Sequence, residues 1–137
     1  MPLMDSGEED LLNLLNNLQP NLLNEDYVFV ILDEYSLDFL KQLDPIATFK
    51  EKEGLTIVIT KERAKQENLE YNSVFKCISL GVHSSLTSVG LIATISKLFS
   101  DKDIPCNVFS GYFHDHLFVQ KSLSKEALGL LNGLKPK

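Results

Sequence analysis

Leucines at positions 11, 14, 15 and 18 recur at helical spacing, and Pro20 closes the pattern. Ser6-Gly7-Glu8-Glu9 just before them predicts a capping box, with Ser6 at the N-cap and Glu9 three residues on. Tyr27-Val28-Phe29-Val30-Ile31-Leu32 is a continuous apolar run rich in β-branched and aromatic residues, the mark of a buried strand. From Asp33 to Leu43 the pattern changes to helical spacing through Leu37, Phe39 and Leu40. Residues 46–49 and 55–60 then read as two strands joined by Glu51-Lys52-Glu53-Gly54, where Gly54 supplies a positive φ for the turn. A short polar helix is expected from Lys61 to Leu69.

The second half repeats the alternation. Val74 to His83 reads as a long strand through Phe75, Cys77, Ile78, Leu80 and Val82. Ser84 or Ser85 is placed to cap a helix carrying Val89, Ile92, Ala93, Ile95, Ser96 and Phe99. Residues 105–109 predict a strand, Gly111 to Asp115 a turn, and 116–119 a further strand. Ser124 is expected to cap a last helix with Ala127, Leu128, Leu130 and Leu131, which Gly133 ends. The order is a helix, then βαββα, a long strand, and αββα. Two adjacent strand pairs look like antiparallel hairpins, which excludes a doubly wound fold. The pattern predicts an α+β fold of ferredoxin-like βαββαβ units, with helices covering antiparallel sheets.

Composition narrows the function classes. At 137 residues and 44% hydrophobic, the chain can form one ordinary domain or two very small ones sharing a core. No apolar run approaches the roughly 20 residues that cross a bilayer. The acidic first residues lack the basic region of a signal peptide, so a cytoplasmic location and no membrane partner are expected. A net charge of −6 and a single arginine, Arg63, argue against nucleic acid. Cys77 and Cys106 lie in strand-like runs and read as buried thiols rather than a disulfide framework. Tyr27, Phe29, Phe49, Phe75, Phe99, Phe109 and Phe118 fall at core spacing, whereas Tyr112 and Phe113 fall in a turn, where they could wall a pocket or form an interface.

The candidate chemistry gathers at three histidines. His114-Asp115-His116 follows Gly111-Tyr112-Phe113, and His83 opens the polar loop Ser84-Ser85-Leu86-Thr87-Ser88. His114 and His116 share a strand face and could chelate a metal with His83, although no established zinc spacing accompanies them. Asp115 points to the opposite face from its neighbours, a poor placement for a Ser-His-Asp triad. There is no nucleophile elbow, P-loop or dinucleotide fingerprint. The serines before the helix offer plain capping, and the helix N-terminus offers an anion site. Gly90 reads as a helical glycine for close packing, and Gly111 as a turn glycine with positive φ.

Residues 85–99 followed by Ile104-Pro105-Cys106-Asn107-Val108 are similar to the core of an ACT domain. Longer phrases make the likeness more specific: Pro45-Ile46-Ala47-Thr48-Phe49, Glu53-Gly54-Leu55-Thr56, Val82-His83-Ser84-Ser85-Leu86, Val89-Gly90-Leu91 and the run from Gly111 to Val119. From about Leu14 onward the chain resembles a family of short, stand-alone tandem ACT-like proteins, mostly bacterial. The resemblance implies an interwoven tandem pair: an N-terminal helix and connector at 1–23, a first unit at 24–72 and a second at 73–134. The strand at 73–83 must close the first unit or open the second, and the second lacks its last strand unless an N-terminal segment supplies it.

It further implies a non-catalytic regulatory or sensor protein that binds an amino acid or similar small ligand, needs no cofactor and forms a homodimer. The ligand is expected between the loop and the turn, at His83, Ser84, Ser85, Ser88, Val89, Gly90, Asn107, Gly111, Tyr112, His114, Asp115 and His116. Asp115 would hold the ligand's ammonium and the helix N-terminus its carboxylate. A metal-binding protein or small enzyme using His83, His114 and His116, or a purely structural interaction module, is the alternative.

Overall fold

The apolar runs and helical spacings become α1 (Leu11–Asn16), β1 (Pro20–Leu22), β2 (Tyr27–Leu32), α2 (Leu37–Leu43), β3 (Ala47–Glu51), β4 (Gly54–Thr60), α3 (Lys61–Gln66), β5 (Phe75–Leu80), α4 (Leu91–Ser100), β6 (Asn107–Ser110), β7 (Asp115–Gln120) and, after a 3-10 turn at Lys121–Leu123, α5 (Ser124–Asn132). The computed structural model describes residues 5–134. The chain segregates into a central unit, Asn24–Lys76, and a split unit made of the residues up to Leu23 and those from Cys77 onward.

In the central unit the β-branched run of β2 lies antiparallel to β4, with Val28 opposite Ile59, Val30 opposite Ile57 and Leu32 opposite Leu55. β3 flanks β4, and the start of β5 joins the other side of β2 through Tyr27 and Phe75. Read as βαββαβ, this is the ferredoxin-like order, with the second strand outermost and the fourth beside the first. Alternation along the strands sends Val28, Val30, Ile57 and Ile59 into one core with Leu43 of α2 and Ala64 of α3. β3 is the edge, so Phe49, expected in the core, is 65% exposed. Gly54 opens β4 with φ 153°, and a Cβ there would sit 2.7 Å from the Leu32 carbonyl oxygen.

The split unit repeats the same topology with its strands out of sequence order. The remainder of β5 is its first strand, β6 and β7 form its hairpin, and β1 supplies the fourth strand, antiparallel to β5 with Pro20 opposite Leu80 and Leu22 opposite Ile78. β5 therefore does both jobs, closing the central unit with its first residues and opening the split unit with the rest. Residues 5–23 belong to the split unit, to which they bring α1 and β1. Its core gathers Leu14 and Leu18 from α1 and the turn after it, Ile78 and Leu80 from β5, Ile95 and Phe99 from α4, Leu117 and Val119 from β7, and Ala127 and Leu131 from α5. Each large side chain fully buried here contributes about 1.5–3 kcal/mol.

Several local expectations are corrected. Asp10, not Ser6, caps α1 by accepting from the Asn13 N–H at 3.0 Å. Neither Ser84 nor Ser85 caps α4, which begins at Leu91 behind Gly90 (φ 106°) with no side-chain cap. Gly90 thus starts the helix rather than sitting inside it, and Val89 stands outside it at 83% exposure. Ser124 is the first residue of α5 and donates to the Lys121 carbonyl instead of capping. Gly111 has no positive φ, since only Gly7, Gly54 and Gly90 do among the described glycines.

Candidate functional site

The loop between β5 and α4 in the split unit is the most polar buried segment of the protein. Ser84 and Ser85 are 7% and 6% exposed, so each hydroxyl must find a partner. Ser84 Oγ donates to Asp115 Oδ2 at 2.9 Å. Asp115, also buried, is the first residue of β7 and faces Ser110 across the hairpin, whose turn closes through Gly111 N–H to the His114 carbonyl at 2.9 Å. Ser85 Oγ lies 2.9 Å from Thr87 Oγ1 and donates to Glu9 Oε1 at 3.2 Å, and Thr87 Oγ1 donates to the same oxygen at 2.5 Å.

Glu9 reaches this loop because the residues before α1 run beside it. Glu8 N–H donates to the His83 carbonyl and Ser85 N–H to the Glu8 carbonyl, both at 2.8 Å. Gly7 permits the approach: its φ is 93°, and a Cβ there would stand 2.9 Å from His83 Cδ2, the His83 carbonyl oxygen and Ser85 N. Leu11 of α1 packs similarly against Gly90, 3.2 Å from where a Cβ would project. Both ends of the loop are thus held by the N-terminal segment.

Between this loop, the first turn of α4 and the β6–β7 hairpin is a cleft of about 160 Å³, lined by Ser84, Ser85, Leu86, Ser88, Gly90, Leu91, Ile92, Ala93, Ser110 and Asp115. The first N–H groups of α4 belong to Leu91, Ile92 and Ala93, and no capping side chain takes them. The cleft therefore sets unpaired N–H donors and a positive helix end on one side and a buried carboxylate on the other. Ser84 uses one of the roughly four lone-pair sites of Asp115, leaving room for further donors.

Of the residues picked from sequence, Ser84, Ser85, Ser88, Gly90 and Asp115 line the cleft, while His83, Val89, Asn107, Gly111, Tyr112, His114 and His116 do not. Leu86, Leu91, Ile92, Ala93 and Ser110 complete the lining, and their sequence pattern gives no sign of it. The histidines go separate ways. The His83 ring stacks near Phe113 and Tyr112, at centroid distances of 4.9 and 6.0 Å, and its buried Nε2 has no hydrogen-bond partner among the described residues. His116 Nδ1 meets Ser79 Oγ at 2.7 Å, and exposed His114 lies 6.5 Å from it, ring to ring. Among the described residues no three His, Cys, Asp or Glu side chains are grouped to hold a metal.

Burial holds the His116 pKa below its ordinary value, with repulsion from His114 adding to this and Asp115 partly opposing it. Burial pushes the Cys106 thiol up to about 11 and also raises Cys77, against a smaller opposing effect of Ser79. Neither cysteine has the depressed pKa of a reactive thiol.

Two βαββαβ units, one with a hydroxyl-lined cleft at a helix N-terminus, define a tandem protein of ferredoxin-like type. Residues 6–76 and 72–133 each match the ACT domain family, and the chain belongs to it. ACT domains are typically regulatory modules that bind small molecules and often oligomerise. The matched segments follow the sequence, so residues 6–23 fall in the first match although they complete the split unit.

A Vibrio cholerae protein of unknown function, described as a possible transport protein, is 41% identical with a TM-score of 0.83, covering 92% of this chain and 96% of that one. An Agrobacterium tumefaciens protein is 18% identical with a TM-score of 0.71, covering 87% and 90%. The ligand-free regulatory subunit of aspartate kinase from Thermus thermophilus shares the fold at 7% identity and a TM-score of 0.59, covering 88% and 99%. No protein of curated description matches. No helix among the described residues is long and apolar enough to cross a membrane.

Proposed function

We propose that this protein is a non-catalytic sensor that binds an amino acid or a close analogue in the cleft of the split unit. The observation that carries the reading is the buried Asp115 carboxylate, facing a cleft whose other wall is the uncapped first turn of α4. A zwitterion matches both walls. Its ammonium donates to Asp115, and its carboxylate accepts from N–H groups at Leu91 to Ala93 with hydroxyl help from Ser88. The regulatory role typical of ACT domains supports the same reading. A homodimer is part of the proposal, because β3 and β6 are edge strands and open edges invite pairing. So is a cytoplasmic location, in keeping with two free cysteines.

The test is thermal unfolding of the purified protein against the standard amino acids at millimolar concentration. A ligand at about 100 times its Kd should add roughly 2.7 kcal/mol of stability. Asp115→Asn, which keeps the size and the acceptor for Ser84, should leave the ligand-free protein folded and remove the shift. If no amino acid raises the melting temperature, or if Asp115→Asn responds like the parent, the reading fails.

A further inference from the structure

We propose that the cleft selects small amino acids with short uncharged side chains, such as alanine or serine, and that Glu9 is a positioning residue that adds to the exclusion of acidic ones; this rests on the amino-acid reading above. Size is the first argument. The cleft measures about 160 Å³, close to a cavity of about 150 Å³ that holds one benzene, or about six heavy atoms. Alanine and serine are near that size, and aromatic or long basic amino acids far exceed it. The part of the lining that neither wall reserves for the zwitterion suits a short side chain: Ala93 and Ile92 are apolar, and Ser88 and Ser110 offer hydroxyls.

Charge is the second, independent argument. Asp115 is the one acidic side chain in the lining, and no Lys, Arg or His lines the cleft. His116, next in sequence, is held toward its neutral form by burial and by His114. Glu9 sets a second carboxylate against the loop, bonded to Ser85, which lines the cleft, and to Thr87. The α-carboxylate of a ligand can use the helix end, but the side-chain carboxylate of aspartate or glutamate would share the cleft with buried Asp115 with no cation in the lining to pair it, while the exposed Glu9 lies behind Ser85 outside the lining. Repulsion from the buried Asp115 weakens binding on the order of tenfold or more, and the exposed Glu9 adds a smaller, solvent-screened part.

The experiment is calorimetric titration of the intact protein with alanine, serine, aspartate, glutamate, lysine and phenylalanine, repeated on Glu9→Gln. The parent should bind alanine or serine at least about tenfold more tightly than the other four. Glu9→Gln keeps an acceptor for the two hydroxyls, so it should leave serine affinity within about twofold while narrowing the serine-to-aspartate ratio severalfold. A purely structural Glu9 would weaken all ligands alike and leave that ratio unchanged, which would overturn its assigned part. Tightest binding by an acidic, basic or aromatic amino acid would overturn the selectivity while the amino-acid reading stands. Binding by none of them would overturn both.

Discussion

The central and split units share one topology and differ where each chain passes from its first strand into its first helix. In the central unit that passage is short, Asp33-Glu34-Tyr35-Ser36, and Ser36 Oγ closes the helix by accepting from Phe39 N–H at 3.0 Å. In the split unit it takes ten residues, 81–90, and the helix opens on Gly90 without a cap. One unit spends its hydroxyl on its own helix end and presents two carboxylates beside it. The other turns its hydroxyls toward Asp115 and Glu9, leaving the helix end to the cleft. A duplicated fold can thus keep its core and divide its labour through one connection.

The comparison can be broken or sharpened by substitution. Phe99→Ala, at a fully buried position of the split core, should cost about 3–5 kcal/mol. Urea unfolding followed by probes in each unit should show the split unit lost first, and equal loss in both would mean the two cores act as one. Gly90→Ala forces a side chain into a left-handed φ and against Leu11, so a loss of about 1–2 kcal/mol is expected, read as a lowered denaturation midpoint. Ser36→Ala should cost about 1 kcal/mol by removing the cap, with ligand affinity unchanged. Impaired binding there would undo the division of labour.

The smallest effect is a pH dependence. Because His116 has a lowered folded pKa, the unfolded chain takes up its proton first as pH falls. Its contribution to stability is therefore complete above the ordinary histidine range of about 6.5 and declines as pH drops through that value toward the lower folded pKa. Denaturation midpoints from pH 7.5 to 5 should fall less steeply for His116→Asn than for the parent.

What could be read from sequence follows from how local each cause is. The run at Tyr27–Leu32 and the turn at Gly54 carry their reasons within a few residues, and the structure places both as expected. The serines at 84 and 85 misled because a serine before a helix looks the same whether it caps that helix or reaches elsewhere. Their partners, Asp115 and Glu9, are 31 and 76 residues away. Ile92 and Ala93 carry ordinary helical spacing, and only the late start of α4 turns them toward the cleft. Ser110 carried no signal, because its significance comes from lying opposite Asp115. The histidine turn marked the right hairpin, yet of its three polar residues only Asp115 reaches the cleft.

The swapped strand also sets a timetable. Residues 24–76 are contiguous and hold their own core, so during synthesis they can fold as soon as they leave the ribosome. β1 is made earlier but waits for β5, and the core it covers waits longer still, until Phe99, Leu117 and Leu131 have emerged. Residues 5–23 are thus translated before the central unit yet are among the last to find their place, and the unit that holds the cleft matures only after the other can already stand.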